Sequence, residues 1–232
     1  MAQRERQDSG AEWPQLDQLW ASSVGPLAAL WWKRPLDVSL CVLALMFVVP
    51  VMIVIALCVV LESRGPVFFS QERVGRLGVP FRLWKIRTMY VNCDQHPHRQ
   101  AAAAWFAGQA ASGDRYKTLS DPRITRVGRV LRKLNLDELP QLINVLRGDM
   151  SLVGPRPAIP YELMHYEPAW LERLQVPPGL TGLWQVTRRE RLSAAEMMAL
   201  DARYVRTASL SLDLKIIVLT APALVAGALG GS

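Results

Sequence analysis

Residues 36–61 read LDVSLCVLALMFVVPVMIVIALCVVL, and between Asp37 and Glu62 the chain carries no charge. About 20 consecutive apolar helical residues cross a hydrocarbon core of about 30 Å, so this run has membrane length. A cleavable leader fits poorly, because residues 1–32 are of mixed polarity and precede a stretch that is too long and lacks a small-residue cleavage site. Pro50 sits near the middle of the run. Its missing N–H and its ring clash cost a helix interior about 3 kcal/mol unless neighbours compensate, so a bend is expected there. Lys33 and Arg34 precede the run, and Arg64, Arg73 and Arg76 follow it. A simple crossing helix concentrates positive charge on its cytoplasmic side alone. Basic flanks at both ends favour a segment whose two ends lie on one side of the membrane. The alternative is a plain spanning anchor that tolerates its proline. Trp31 and Trp32 beside Lys33 suit the water–lipid boundary under both readings.

On the N-terminal side, Gly10, Pro14, Gly25 and Pro26 break up residues 1–32, which read as a loosely ordered arm with one short interfacial helix near Leu16–Trp20. On the C-terminal side, PVFFSQERVGRLGVPFRLWKIRTM (66–89) has β-branched and aromatic runs split by Gly75, Gly78 and Pro80, the pattern of a β-hairpin. Residues 92–118 form an insertion with an Ala-rich helical patch from Gln100 to Ala107. Cys93, His96 and His98 fall within it, but one such cluster without a second ligand pair is a loop before it is a zinc site. Further on come amphipathic helices over Ile159–Leu174, Ser193–Val205 and Leu212–Leu219. The last apolar stretch, Ile216–Leu229, is short for a span and is interrupted by Pro222, so it is expected to pack or to lie in the interface.

Composition agrees with a basic protein that has an oily part: 50% of the 232 residues are hydrophobic, and 27 Lys+Arg oppose 20 Asp+Glu for a net charge of +7. This excludes a disordered chain. Anionic lipid, phosphorylated metabolites and nucleic acid all remain open as partners on charge alone. The three cysteines, at 41, 58 and 93, make no paired framework and point to a reducing, cytoplasm-facing chain.

The chemistry is concentrated in DPRITRVGRVLRKLNLDELPQLINVLRGDMSLVGPRP (121–157). Arg123, Arg126, Arg129 and Arg132 recur every three residues and would lie along one side of a helix, as guanidinium forks that fit phosphate oxygens. A solvated face, or simple contact with lipid headgroups, explains such a stripe equally well. Asp137 and Glu138 follow directly. Adjacent residues of a helix diverge by about 100°, so the pair suits two different roles, one carboxylate attacking while the other binds a metal. Alternatively, Asp137 merely caps a helix that has Pro140 in its first turn. Arg132, and Arg156 in the Gly-Pro-Arg-Pro loop, shift the balance toward chemistry.

Taken together, KRPLDV, GPVFFSQERVGRLGVPFRLWKIRTM, the 121–157 string, PPGLTGLWQV and SLSLDLKII resemble, in that order and spacing, the bacterial sugar transferases, the monotopic polyprenyl-phosphate phosphoglycosyl transferases. The resemblance covers about Lys33 to Leu219. It implies an α+β fold, mostly helical with a small β-hairpin, as a single membrane-associated domain. The parts would be the N-terminal arm (1–32), a re-entrant helix (33–62) broken at Pro50, a catalytic domain (63–219) with interfacial helices, and an apolar C-terminal tail (220–232). It also implies transfer of a sugar-1-phosphate from a UDP-sugar to undecaprenyl phosphate with release of UMP. Asp137 would be the nucleophile, forming an aspartyl phosphosugar, and Glu138 would help hold Mg²⁺.

Arg132 and Arg156 are then expected to clamp the substrate, with Lys85 and Arg87 of KIRTM, Arg189 and Asp213 as further substrate-binding candidates. The expected setting is the cytoplasmic face of a bacterial inner membrane, with membrane lipid as a partner and downstream glycosyltransferases as possible ones. Thr187-Arg188 departs from the family's usual Ser-Gly or Asn-Gly and puts contacts near Arg189 in question. A non-catalytic anchored scaffold that grips anionic lipid is the rival from another class. A nucleic-acid partner is not expected, because no recognition-helix motif or aromatic-interleaved basic sheet is present. The sequence sets neither the sugar nor the oligomeric state.

Overall fold

The computed structural model describes residues 30–91, 96–108, 121–187 and 192–229, so nearly all of the N-terminal arm lies outside the described residues. Helix α1 (Lys33–Glu62) holds the apolar run as one 30-residue helix that continues through Pro50, so the proline does not divide it into two helices. Burial is confined to its ends. Lys33, Asp37 and Cys41 are buried near the start and Ile55 and Val59 near the finish, whereas Met46, Phe47, Ile53 and Val54 are 62–71% exposed. Only 11% of its most apolar window is buried inside the protein, unlike the core helix of a soluble domain. It is a helix of membrane length with an outward-facing apolar middle.

Both ends of α1 rest on one globular body. At the start, Asp37 Oδ1 accepts a hydrogen bond from the Leu152 amide at 3.0 Å, and Cys41 packs with Leu83, Leu142, Val145 and Met150. At the finish, Ile55 and Val59 share a cluster with Ile86 and Leu131. Leu83 and Ile86 belong to the same strand of a hairpin, the antiparallel pair β1 (Phe68–Val74) and β2 (Pro80–Ile86), with Phe69 opposite Lys85 and Arg73 opposite Phe81. The hairpin is where the sequence places it. Its turn closes through the Gly75 amide on the Val79 carbonyl at 2.8 Å.

The described part of the 92–118 insertion is α2 (His96–Phe106), which lines the core: Ala102 is buried, and Phe106 stacks on His165 with centroids 5.8 Å apart. Helix α3 (Arg126–Leu134) begins at Thr125, whose side chain accepts from the Gly128 amide. Arg123 therefore precedes the helix and pairs with Asp121, which leaves Arg126, Arg129 and Arg132 as the helical part of the expected stripe. Gly128 is where α3 crosses the chain after β2, because a Cβ there would meet the Thr88 carbonyl at 2.2 Å. A 3₁₀ turn (Leu136–Glu138) leads to α4 (Gln141–Arg147).

Strands β3 (Ser151–Val153) and β4 (Gly179–Thr181) form a second, parallel pair that the loop-like composition of both strings conceals. Gly179 permits it: a Cβ there would lie 2.1 Å from the Gly154 nitrogen. The helix expected over Ile159–Leu174 is instead two 3₁₀ helices, Pro160–His165 and Pro168–Gln175, each begun by a proline whose fixed φ starts a turn and whose missing N–H stops the one before. Helices α5 (Leu183–Thr187) and α6 (Ala194–Thr207) follow, the latter started by a Ser193–Glu196 capping box. Helix α7 (Leu210–Leu229) continues through Pro222, so the short apolar stretch expected from Ile216 is part of one 20-residue helix.

The first and last helices are locked by a buried charge. The Lys33 ammonium lies 2.6 Å from Asp213 Oδ2 and donates to the Val153 carbonyl at 2.7 Å and to the Tyr204 hydroxyl at 3.0 Å. Tyr204 in turn donates to Asp213 Oδ1 at 2.7 Å. Burial raises the Asp213 carboxyl above its ordinary range, and Lys33 opposes the shift. Removing one partner of such a pair strands the other, at a cost of about 3–5 kcal/mol. Asp213→Ala should therefore lower the unfolding free energy by about that much, and adding Lys33→Met in the same chain should recover part of it. Denaturant unfolding in one detergent checks this; a double variant no more stable than Asp213→Ala would contradict it.

Candidate active site

Asn135 ends α3 in the left-handed region (φ 55°) and turns the chain into the 3₁₀ turn that carries Asp137 and Glu138. Three residues per turn set consecutive side chains about 120° apart, so the two carboxylates face different surroundings. Asp137 is 4% exposed, and its Oδ1 has no hydrogen-bond partner. Helix α4 starts at Pro140 with no side-chain cap, so Asp137 does not serve as the cap that a bare Asp-Glu-Leu-Pro string allows. A buried acceptor left open costs about 1–3 kcal/mol, the kind of deficit that persists where chemistry needs the group. Glu138 is half-buried and meets the Lys85 ammonium at 3.1 Å.

Asn144 sets the geometry between these two elements. Fully buried on α4, it accepts from the Trp84 amide at 3.1 Å and donates to the Arg82 carbonyl at 2.7 Å, acting as a substitute strand partner along the edge of β2. Lys85 is thereby carried to the turn next to α4. The Asn144 side-chain amide gives no periodic signal, and sequence reasoning misses it.

The arginines divide between the two carboxylates. Arg132 donates through Nε to Thr88 Oγ1 at 2.8 Å; burial lowers its pKa, and the Asp137 carboxylate opposes the shift. Burial also lowers Arg156, here against Glu138. The backbone just after the Arg156 side chain is gripped by two buried arginines outside the expected site set. Arg173 donates to the Arg156 carbonyl at 2.7 Å, and Arg73 to the Pro157 carbonyl at 3.0 Å. Arg73 is 5% exposed, its Nε lacks a partner, and burial, with Arg156 adding repulsion, pushes it down to about 10. In the sequence Arg73 registers only as a basic flank of the membrane run. Its position in the Gln-Glu-Arg-Val-Gly string was the available signal.

The structure thus brings Asp137, Glu138, Arg132, Arg156 and Lys85 together. It places two other candidates elsewhere. Arg87 donates to the Ser63 side chain and to the Ser63 and Pro66 carbonyls, which fastens the exit of α1 to the hairpin. Asp213 is enclosed by Lys33 and Tyr204. Arg189 and Cys93 lie outside the described residues.

Among the described residues no three His, Cys, Asp or Glu side chains gather as a metal cage. Glu138 is nevertheless a hard-oxygen donor that fits a Mg²⁺ bound through one carboxylate, with phosphate and water completing its shell.

A buried carboxylate with one open oxygen, a guanidinium beside each of the two acidic residues and an apolar helix of membrane length fit a membrane-associated enzyme that transfers phosphoryl-linked groups. The profile of the bacterial sugar transferases matches residues 28–227, and the chain belongs to that family. It is 41% identical over 195 residues to the exopolysaccharide production protein ExoY of Sinorhizobium fredii, covering 82% of this chain and 84% of that one. It is 42% identical over 200 residues to the UDP-glucose:undecaprenyl-phosphate glucose-1-phosphate transferase of Caulobacter vibrioides, covering 83% and 69%. It is 40% identical over 189 residues to the undecaprenyl-phosphate galactose phosphotransferase of Salmonella typhimurium, covering 82% and 41%.

Behind Arg156, the Asp201 carboxylate lies 2.8 Å from Arg173 Nη2 in a buried ion pair. Burial pushes its pKa up to about 6, against the pull of Arg173. A carboxyl whose folded pKa exceeds its unfolded value of about 3.9 stabilises the fold as it takes up its proton. Compared with Asp201→Asn, the native protein should therefore gain stability as pH falls from 7 to 5. Unfolding midpoints of both proteins across that range test the sign; a relative loss toward acid would mean that Arg173 keeps Asp201 ionised.

Proposed function

We propose that this protein moves a sugar-1-phosphate from a UDP-sugar to undecaprenyl phosphate, with Asp137 as the covalent nucleophile. The observation that carries the assignment is the division of labour in the 3₁₀ turn. Asp137 Oδ1 is buried and open beside Arg132, whereas Glu138 is held by Lys85 and faces Arg156. Names of relatives at 40–42% identity supply the substrate class.

In the first half-reaction an Asp137 oxygen attacks the β-phosphorus of the UDP-sugar. A P–O bond to Asp137 forms, the P–O bond to UMP breaks, and UMP leaves with the electron pair. In the second, a phosphate oxygen of the polyprenyl carrier attacks the same phosphorus and frees the carboxylate. Covalent catalysis splits one difficult transfer into two steps. Arg132 and Arg156 supply fixed positive charge where negative charge gathers, and burial makes that charge worth more than in water. Mg²⁺ held by Glu138 would add charge neutralisation on the diphosphate oxygens.

The lipid substrate gives the apolar helix its purpose. With both ends of α1 on one body and its middle exposed, a re-entrant path that enters and leaves on the cytoplasmic face of the inner membrane accounts for the double basic flank. The UDP-sugar is then met in the cytoplasm, and the loaded carrier passes to downstream glycosyltransferases.

Asp137→Asn keeps the shape and removes the nucleophile. Release of UMP from UDP-glucose or UDP-galactose should fall by at least about a thousandfold with the unfolding midpoint unchanged, since an uncharged amide cannot form the acyl phosphate. Activity near the native level would end the assignment. Topology has its own test, in a background without the three native cysteines. A single cysteine before Lys33 and another after Glu62 should both escape an impermeant thiol reagent in intact cells and both react once the inner membrane is opened. Labelling of the N-terminal position without permeabilisation would establish a spanning helix instead.

A further inference from the structure

Each end of α1 carries the charge that its own helix dipole disfavours. Cations are favourable at a helix C-terminus and anions at an N-terminus, yet Lys33 and Arg34 begin α1, Glu62 ends it, and no acidic residue stands in its first turn or basic one in its last. Lys33 is accounted for by Asp213. Arg34 and Glu62 are accounted for by two other helices.

Glu62 accepts from the Arg126 amide at 2.6 Å and from the Val127 amide at 2.9 Å, two of the N–H groups that the first turn of α3 leaves without a partner. Thr125 takes the next one, from Gly128 at 2.9 Å. Arg34 donates to the Val145 and Leu146 carbonyls, at the C-terminus of α4. In both places the charge is the one the receiving helix end favours. The segment between these anchors is α3, the Asp137–Glu138 turn and α4, without another element intervening. The underside of that turn is also tied to α1, since Leu136 and Leu139, which flank the two carboxylates, pack on the cluster of Ile55, Val59, Ile86 and Leu131.

We propose that Arg34 and Glu62 are positioning residues: they tie the far ends of α3 and α4 to the two ends of the membrane helix, so that the path of α1 sets the geometry of the Asp137–Glu138 turn. The catalytic turn is then held in place only while α1 is seated with both ends on the globular body. This rests on the sugar-transfer reading for its consequence in turnover, but not for its geometry.

The test uses the full chain in nanodiscs of phosphatidylethanolamine and phosphatidylglycerol, with Glu62→Gln, Arg34→Gln and the double variant, each first shown to keep its unfolding midpoint. Amide exchange is read without any substrate. Glu62→Gln should speed exchange in the first turn of α3 and also at 136–139, and Arg34→Gln should speed it at the end of α4 and again at 136–139. Fraying confined to the substituted end, with 136–139 still protected, would overturn the proposal.

With whichever of UDP-glucose and UDP-galactose the native protein turns over, each single variant should lose about tenfold in kcat with KM within about twofold, since substrate contacts are intact and only the reacting geometry is altered. Sites this far apart normally act additively, so a double variant no slower than the slower single one is the mark of a shared element. Losses that simply multiply, or a raised KM at constant kcat, would also overturn it. If the native protein releases no UMP from either nucleotide sugar, the sugar-transfer reading fails while the exchange measurement still decides the clamp.

Discussion

The fold closes around the ammonium of Lys33. A lysine 5% exposed, at the start of a helix whose own dipole repels it, is tolerable only because Asp213, Tyr204 and the Val153 carbonyl surround it. Those three partners come from α7, α6 and β3, so one charge fixes the start of α1 against the last helix and the second sheet. Asp37, one turn later, takes the neighbouring Leu152 amide and keeps β3 in register with the helix. An apolar helix has no hydrophobic reason to choose one orientation on a membrane surface. Buried polar contacts at its root supply one.

The catalytic region obeys a different constraint, an excess of buried positive charge. Arg73, Arg132 and Arg156 are all lowered by burial, and Glu162 and Asp201 beside them are raised by it. Such a cluster holds fixed positive charge that a phosphate-bearing ligand would meet with charge-assisted hydrogen bonds. The two buried arginines that hold the backbone around Arg156 keep that side chain aimed when no substrate is present.

Different physical signals explain why parts of the molecule were legible in the sequence and parts were not. The apolar run, the hairpin and the helix from Ser193 are written in local chemistry, in hydrophobic length, alternation and amphipathic period, and each stands within a few residues of where that chemistry puts it. The parallel pair of Ser151–Val153 with Gly179–Thr181 is not local: it exists because two glycine-bearing segments approach within a distance that no Cβ allows. Proline reads as interruption at Pro50 and Pro222 but is passed over at Pro168; the chain is helical through the first two and broken at the third, because the outcome depends on packing and solvent around the ring.

The sequence by itself determined that this protein has a membrane-length helix, a hairpin and an Asp-Glu pair among arginines, because length, period and adjacency are properties of the chain. Its motifs also named the family. Only the tertiary structure decided which charges act on which. Asp213 and Arg87 look equivalent to Lys85 in the sequence, yet the fold encloses Asp213 with Lys33 and occupies Arg87 with carbonyls, while Asn144 carries Lys85 to Glu138. Partner choice for a charge is set by distance and burial, and neither exists until the segments that carry the charges have packed.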